Sequence, residues 1–208
     1  MKPNDLKICQ FKDYLIELYP NPRPTLQYRN VFEQIIAISL SAQTTDKAVN
    51  KVTAQLFSLY PNADALSQAS FADIESILHP LGLFRLKTQR IIQLSSFLAK
   101  NEIKLQRDFL ESLPGVGRKT ASIMLSSNNI SDELAIDTHI ARVALRYAIA
   151  QQGSSLWVIE NNLKALLLRD FNLWHLRLIS FGRQICTSKN PKCHQCKLSG
   201  ICFFVHGI

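Results

Sequence analysis

Two short stretches of the 208-residue chain hold the residue types from which chemistry is built. One is Leu113-Pro114-Gly115-Val116-Gly117-Arg118-Lys119-Thr120-Ala121. Here proline ends a helix, glycine permits positive φ and close approach of another backbone, and a second helix starts near Arg118. The first amides of that helix have no partner within it, and the positive end of its dipole favours an anion such as a phosphate diester. Such a contact positions a backbone without reading a base. A Gly-x-Gly alone is more often a plain corner between helices, but a nine-residue string is far more specific. The other stretch is Cys186-x6-Cys193-x2-Cys196-x5-Cys202. Its thiols suit a metal or a cluster, and on spacing alone zinc and iron–sulfur stand level. His194 and His206 are alternative zinc ligands in exposed contexts, and are not favoured.

The elements that must position these residues read as helices. Apolar spacing predicts helices over 5–19, 31–40, 45–60, 70–78, 87–100, 108–112, 118–127, 138–150, 156–168 and 173–185. Pro20, Pro22 and Pro24 end the first. Thr45-Asp46 reads as the cap of the third, and Asp137 as the N-cap of the helix from Thr138. No period-two run or Asn-Gly hairpin signal emerges, so the fold class is all-α. Cys9 falls on the apolar stripe of the first helix and is expected in the core.

Composition excludes several classes. Hydrophobic residues make up 47% and charged residues 19%, which argues against disorder. No apolar run reaches the roughly 20 residues that span a bilayer. The opening MKPNDLKICQFKDYLIEL lacks the apolar core and small-residue cleavage site of a secretion signal. With no such signal, an odd total of five cysteines argues against a disulfide framework. A cytoplasmic protein without a membrane partner is expected. The net charge of +8 is uneven: residues 171–208 contain no acid but hold Arg177, Arg183, Lys189, Lys192 and Lys197. Arg85, Lys87 and Arg90 form a second basic run. Each run is a solvated face or a polyanion site.

Taken together, the hairpin string, the four cysteines, Leu40-Ser41-Ala42-Gln43-Thr44-Thr45-Asp46, Leu81-Gly82-Leu83 and Ile136-Asp137-Thr138-His139 decide between these options. The chain closely resembles the endonuclease III family, the iron–sulfur DNA glycosylases and abasic-site lyases, nearly end to end. The resemblance implies a two-domain helix-hairpin-helix glycosylase fold. A central six-helix domain would span 24–134, and 1–23 with 135–208 would form the second, with the active site between them. It also implies a 4Fe-4S cluster on Cys186, Cys193, Cys196 and Cys202, which breaks the tie with zinc. The implied partner is double-stranded DNA containing damaged bases or abasic sites, bound by a monomer, at the nucleoid if the source is bacterial.

The resemblance also distributes roles. Lys119 would attack the anomeric carbon of the damaged nucleotide, release the base, form a Schiff base and cut the strand 3′ to the site by β-elimination. That attack needs a neutral amine, and adjacent Arg118 and the positive helix end both oppose a second charge there. Asp137 would stabilise the oxocarbenium-like sugar or help to activate the amine. Base removal takes the nucleotide out of the stack, and Gln43 and Leu83 would fill the space. Gly115, Gly117, Arg118, Lys189 and Lys192 would meet phosphates. Ser41, Asp46, Glu111 and His139 match positions near the family pocket. Read in isolation, Leu83 is a core residue, Lys119 a surface lysine and Asp46 a helix cap.

The chain departs from the family pattern at Ser126–Glu133, which is unusually polar, and at Ala141, where a bulky aromatic residue is common. Both bear on base preference, with oxidised pyrimidines the expected substrates. The adenine-mismatch glycosylases share the hairpin and cysteines but usually lack the lysine at 119 and add a recognition domain. A non-catalytic, metal-bearing DNA-binding module is the remaining alternative.

Overall fold

The computed structural model describes residues 3–131 and 133–206. Among them the helices are α1 (Pro3–Leu18), α2 (Val31–Leu40), α3 (Asp46–Leu59), α4 (Ala63–Ser67), α5 (Phe71–Leu78), α6 (Phe84–Leu98), α7 (Arg107–Ser112), α8 (Arg118–Ser127), α9 (Thr138–Arg146), α10 (Leu156–Leu167), α11 (Phe171–Gln184) and α12 (Phe203–His206). Two 3-10 turns, Cys193–Gln195 and Ser199–Ile201, lie before α12. No strand occurs among the described residues.

Polar residues set many of the helix starts. The side chains of Asn30, Thr45, Asn62, Ser70, Asp137 and Ser155 each accept a backbone amide at the start of α2, α3, α4, α5, α9 and α10. Each such cap contributes about 1 kcal/mol. The helix expected to reach Ala150 stops at Arg146. There Ala148 turns left-handed (φ 57°) and the Ile149 amide donates back to the Ala144 carbonyl. Short α4 adds a seventh helix to the six that the resemblance implies for the central region.

Two compact units result, Pro24–Asn128 and 1–23 with 129–208. The division falls at Asn128–Asn129, whereas the sequence places it near residue 134. Leu134, placed in the central domain by the sequence, belongs instead to the second unit's core. The first core joins Ile35, Ile36 and Leu40 of α2 to Leu56, Ile74, Leu78, Ile91 and Met124. The second joins Phe11 and Leu15 of α1 to Ile140, Val143, Leu163, Trp174 and Leu178.

Cys9 is exposed, contrary to expectation. Helix α1 buries Phe11, Tyr14 and Leu15, while Leu6, Ile16 and Leu18 also face outward. The stripe drawn from residue type is wider than the face that packs. The polar Ser126–Glu133 segment also has a structural reason. Buried Gln34 donates to Ser127 Oγ (2.6 Å) and accepts from Asn128 Nδ2 (2.8 Å), tying α8 to α2. Asp132 lies outside the described residues.

Candidate active site

The hairpin joins α7 to α8. Gly115 is left-handed (φ 79°), the one place in the string where glycine is conformationally required. Val116 is buried, and its amide donates to the Leu113 carbonyl (3.0 Å), closing the turn. Gly117 is the N-cap of α8 and offers no side-chain acceptor, so the first amides of α8 remain available. A Cβ at Gly117 would meet nothing within 4 Å, so the turn is open on that side. Arg118 and Lys119 occupy the first turn, and both are exposed. Arg90 reaches the same corner: a Cβ on Gly115 would stand 3.7 Å from its Cδ.

Two further turns in this unit hold left-handed residues that are not glycine. Gln43 (φ 54°) lies between α2 and α3, and Leu83 (φ 57°) is the N-cap of α6 without a side-chain bond. An apolar residue held there costs of order 1 kcal/mol or more. Leu83 is 58% exposed, so it is not the core residue its type suggests. Ser41 Oγ donates to the Ile38 carbonyl (2.7 Å) at the end of α2. Asp46 accepts from Thr25 Oγ1 and is not the cap of α3, which is Thr45. Glu111 on α7 pairs with Arg107 (2.6 Å), whose guanidinium also donates to Ser122 on α8 (3.3 Å).

Asp137 and His139 belong to the other unit. Asp137 caps α9, and its Oδ1 accepts the amides of His139 (2.9 Å) and Ile140 (2.8 Å). The segment before it is anchored by buried His175, whose Nδ1 lies 2.8 Å from the Ala135 carbonyl. His139 is half-buried with Nδ1 3.2 Å from Arg142 Nη2, and that guanidinium also donates to the Gly182 carbonyl (2.7 Å). Burial lowers the His139 pKa, Arg142 and Arg183 push the same way, and Asp137 opposes them. The balance favours the neutral imidazole.

Cys186, Cys193, Cys196 and Cys202 surround one apolar cavity with Phe11, Val143, Tyr147 and Phe181. Arg146 binds the loop at several points: it donates to the carbonyls of Thr187 (2.7 Å) and Ser188 (3.1 Å) and lies 3.4 Å from Cys186 Sγ.

Residues 36–167 match the HhH-GPD superfamily of base excision DNA repair proteins, and residues 186–202 match the iron-sulfur binding domain of endonuclease III. The endonuclease III of Bacillus subtilis (strain 168) is 34% identical over 203 residues, covering 95% of this chain and 93% of its own. The chain belongs to the endonuclease III family. The Escherichia coli (strain K12) endonuclease III is 33% identical, with 96% of each chain covered. A solved non-covalent endonuclease III–DNA complex matches with a TM-score of 0.90 at 33% identity over 98% of this chain and 97% of that one. A trapped endonuclease III–DNA covalent intermediate matches at 0.89, with the same identity and coverage. As an endonuclease III family member, the chain is a DNA-binding glycosylase/lyase with a 4Fe-4S cluster.

The four thiols fit that endonuclease III cofactor. The thiols stand around one cavity, as a polynuclear core needs. Burial pushes the thiols of Cys196 and Cys202 up, and charge on the other cysteines adds to this. Amides of Leu198, at Cys196, and of Phe204 and Val205, at Cys202, oppose it. Thiolates so crowded need a cationic core, and the amides aimed at sulfur suit one.

The basic runs divide by environment. Lys189 and Lys192 are exposed in the loop between the first two cysteines. Arg177 is buried, bonded to the carbonyls of Tyr19 (3.0 Å) and Pro20 (3.1 Å), and Lys197 pairs with Glu17. Those two act within the fold. In the other run Arg85 pairs with Glu75 (2.9 Å), and Lys87 is only 5% exposed. Lys87 continues the stripe of Ile91, Leu94 and Leu98 at helical spacing, a signal that the charge run obscured.

Proposed function

We propose that this protein is a bifunctional glycosylase that removes oxidised pyrimidines from double-stranded DNA and then cuts the strand 3′ to the site. Monomeric action fits this reading. The α8 amides and Arg118 bind a phosphate diester, and Lys189 and Lys192 bind the backbone from the cluster loop. Gln43 and Leu83 enter the duplex and take the place of the extruded nucleotide. We assign contacts with the extruded nucleotide to Ser41, Asp46, Glu111 and His139, the last as a neutral donor.

Lys119 Nζ attacks C1′, and the glycosidic bond breaks with its electron pair leaving on the base, which takes up a proton. The sugar ring opens to a Schiff base, loss of a C2′ proton expels the 3′ phosphate, and hydrolysis returns the free amine. Asp137 faces the positive charge that develops on the sugar. Its Oδ1 is engaged by two amides, which leaves Oδ2 for that task. Cys186, Cys193, Cys196 and Cys202 would hold the 4Fe-4S cluster, whose contribution is to brace the loop bearing Lys189 and Lys192.

The observation that carries the proposal is Lys119 itself: an exposed amine in the first turn of α8, directly after an open, uncapped hairpin. The relative trapped as a covalent intermediate with DNA supports an attacking residue of this kind. A panel of duplexes with single lesions tests it. The wild type should release oxidised pyrimidines and nick the strand, and Lys119→Gln should bind the same duplexes without nicking. Turnover retained by Lys119→Gln would refute the mechanism, and release confined to adenine opposite a mismatch would refute the substrate class.

A further inference from the structure

Lys87 is a cation that the mechanism above does not use, yet it is nearly inaccessible to solvent. Its amide donates to the carbonyl of Leu83 (3.0 Å), one turn earlier. Its Nζ donates to Thr44 Oγ1, and that hydroxyl lies 3.4 Å from the carbonyl of Ala42. Gln43 stands between Ala42 and Thr44, and the Thr44 amide closes its turn on the Ser41 carbonyl (3.1 Å). One residue thus grips both turns that present a left-handed, exposed side chain. An ammonium away from water is costly, and burial lowers the Lys87 pKa accordingly. A methionine or leucine would fill the same stripe of α6 without that cost, so packing does not explain the choice of lysine.

We infer that Lys87 is a positioning residue that couples the Gln43 turn to the Leu83 turn, so that the two side chains enter a duplex as one unit. The inference rests on the reading that both side chains do enter. Leu83 and Gln43 sit in strained backbone that needs support from its surroundings, and the Lys87–Thr44 bond supplies it from inside the unit. Without the tie each turn relaxes on its own, and the cost of ordering both falls on the DNA-binding step.

The test uses holoprotein and a duplex with 2-aminopurine opposite the lesion, whose fluorescence rises when the opposing base is unstacked. Lys87→Met keeps the apolar stem, and Thr44→Val breaks the same bond from the other side while keeping shape. Each should weaken the fluorescence rise and slow single-turnover base release about tenfold, the size of one lost coupled contact. The double variant should be no worse than either single one. Release should return to the wild-type rate when the lesion sits in an unpaired bubble, where nothing has to be pried apart. A full fluorescence rise and rate in both single variants would overturn the inference, as would failure of the bubble to restore release, which marks a general folding defect. Leu83→Ala and Gln43→Ala separate the two levels. If they lose the signal while Lys87→Met and Thr44→Val keep it, only the coupling falls. If they keep it, the underlying reading falls and the coupling with it.

Discussion

Gly182 on α11 lies so close to His139 on α9 that an added Cβ would stand 2.9 Å from the His139 Cβ and 3.2 Å from its carbonyl oxygen. Real Cβ atoms do not approach so closely, and the obstacle is backbone, which cannot swing aside. The contact sets how α9, with Asp137 at its tip, docks on α11. Gly182→Ala should therefore destabilise the protein by about 1–3 kcal/mol, the usual cost of overpacking. It should also lower turnover, because the residues displaced are those beside Asp137, the carboxylate proposed to act on the sugar. Thermal melting with single-turnover rates checks this, and an unchanged melting temperature would show that the helices separate freely.

Asp137 caps α9 and is proposed to act on the sugar as well, and two substitutions separate the observed role from the proposed one. Asparagine also caps helices well, so Asp137→Asn should keep stability near wild type while base release collapses. Asp137→Ala should lose about 1 kcal/mol as well, because the amides of His139 and Ile140 lose their acceptor. If Asp137→Asn retains full activity, the charge is not needed.

Much of this organisation is legible in the amino-acid sequence. The hairpin string sets the break after α7 and the start of α8 at Arg118, because proline and glycine act locally. Asp137 is readable as a cap for the same reason. What is not legible depends on partners far away along the chain. Arg177 and Lys197 look like phosphate ligands in an acid-free tail, but Tyr19, Pro20 and Glu17 claim them from the other end of the chain. Leu83 reads as core because nothing local announces a left-handed turn at an apolar residue. Cys9 reads as core because residue type marks a wider stripe on α1 than the neighbours cover.

The phosphate contacts proposed for Lys189 and Lys192 predict a particular salt response. Lys189→Ala with Lys192→Ala should weaken binding at low salt and flatten its dependence on salt, by up to about two units of slope if each lysine meets one phosphate. Fluorescence anisotropy across a salt series measures the slope. No change would place that loop away from the DNA.

The lowered pKa of His139 predicts a contribution to acid lability. Well above about pH 6.5 the imidazole is neutral in both the folded and the unfolded chain, and its contribution to stability is fully present. As pH falls below that value, the unfolded chain takes up the proton first and stability drops, until the folded imidazole is protonated too. Melting curves between about pH 5 and 8 should show a shallower acid decline for His139→Gln than for wild type. An equal decline in the two would contradict the assignment.

Lys119 is proposed to form the covalent bond to DNA. Borohydride reduction during reaction with an abasic duplex, followed by peptide mapping, would locate that bond. One cross-linked adduct is expected, on the Lys119 side chain, and none in Lys119→Ala. A cross-link that persists in Lys119→Ala, or that maps to another amine in the wild type, would contradict it.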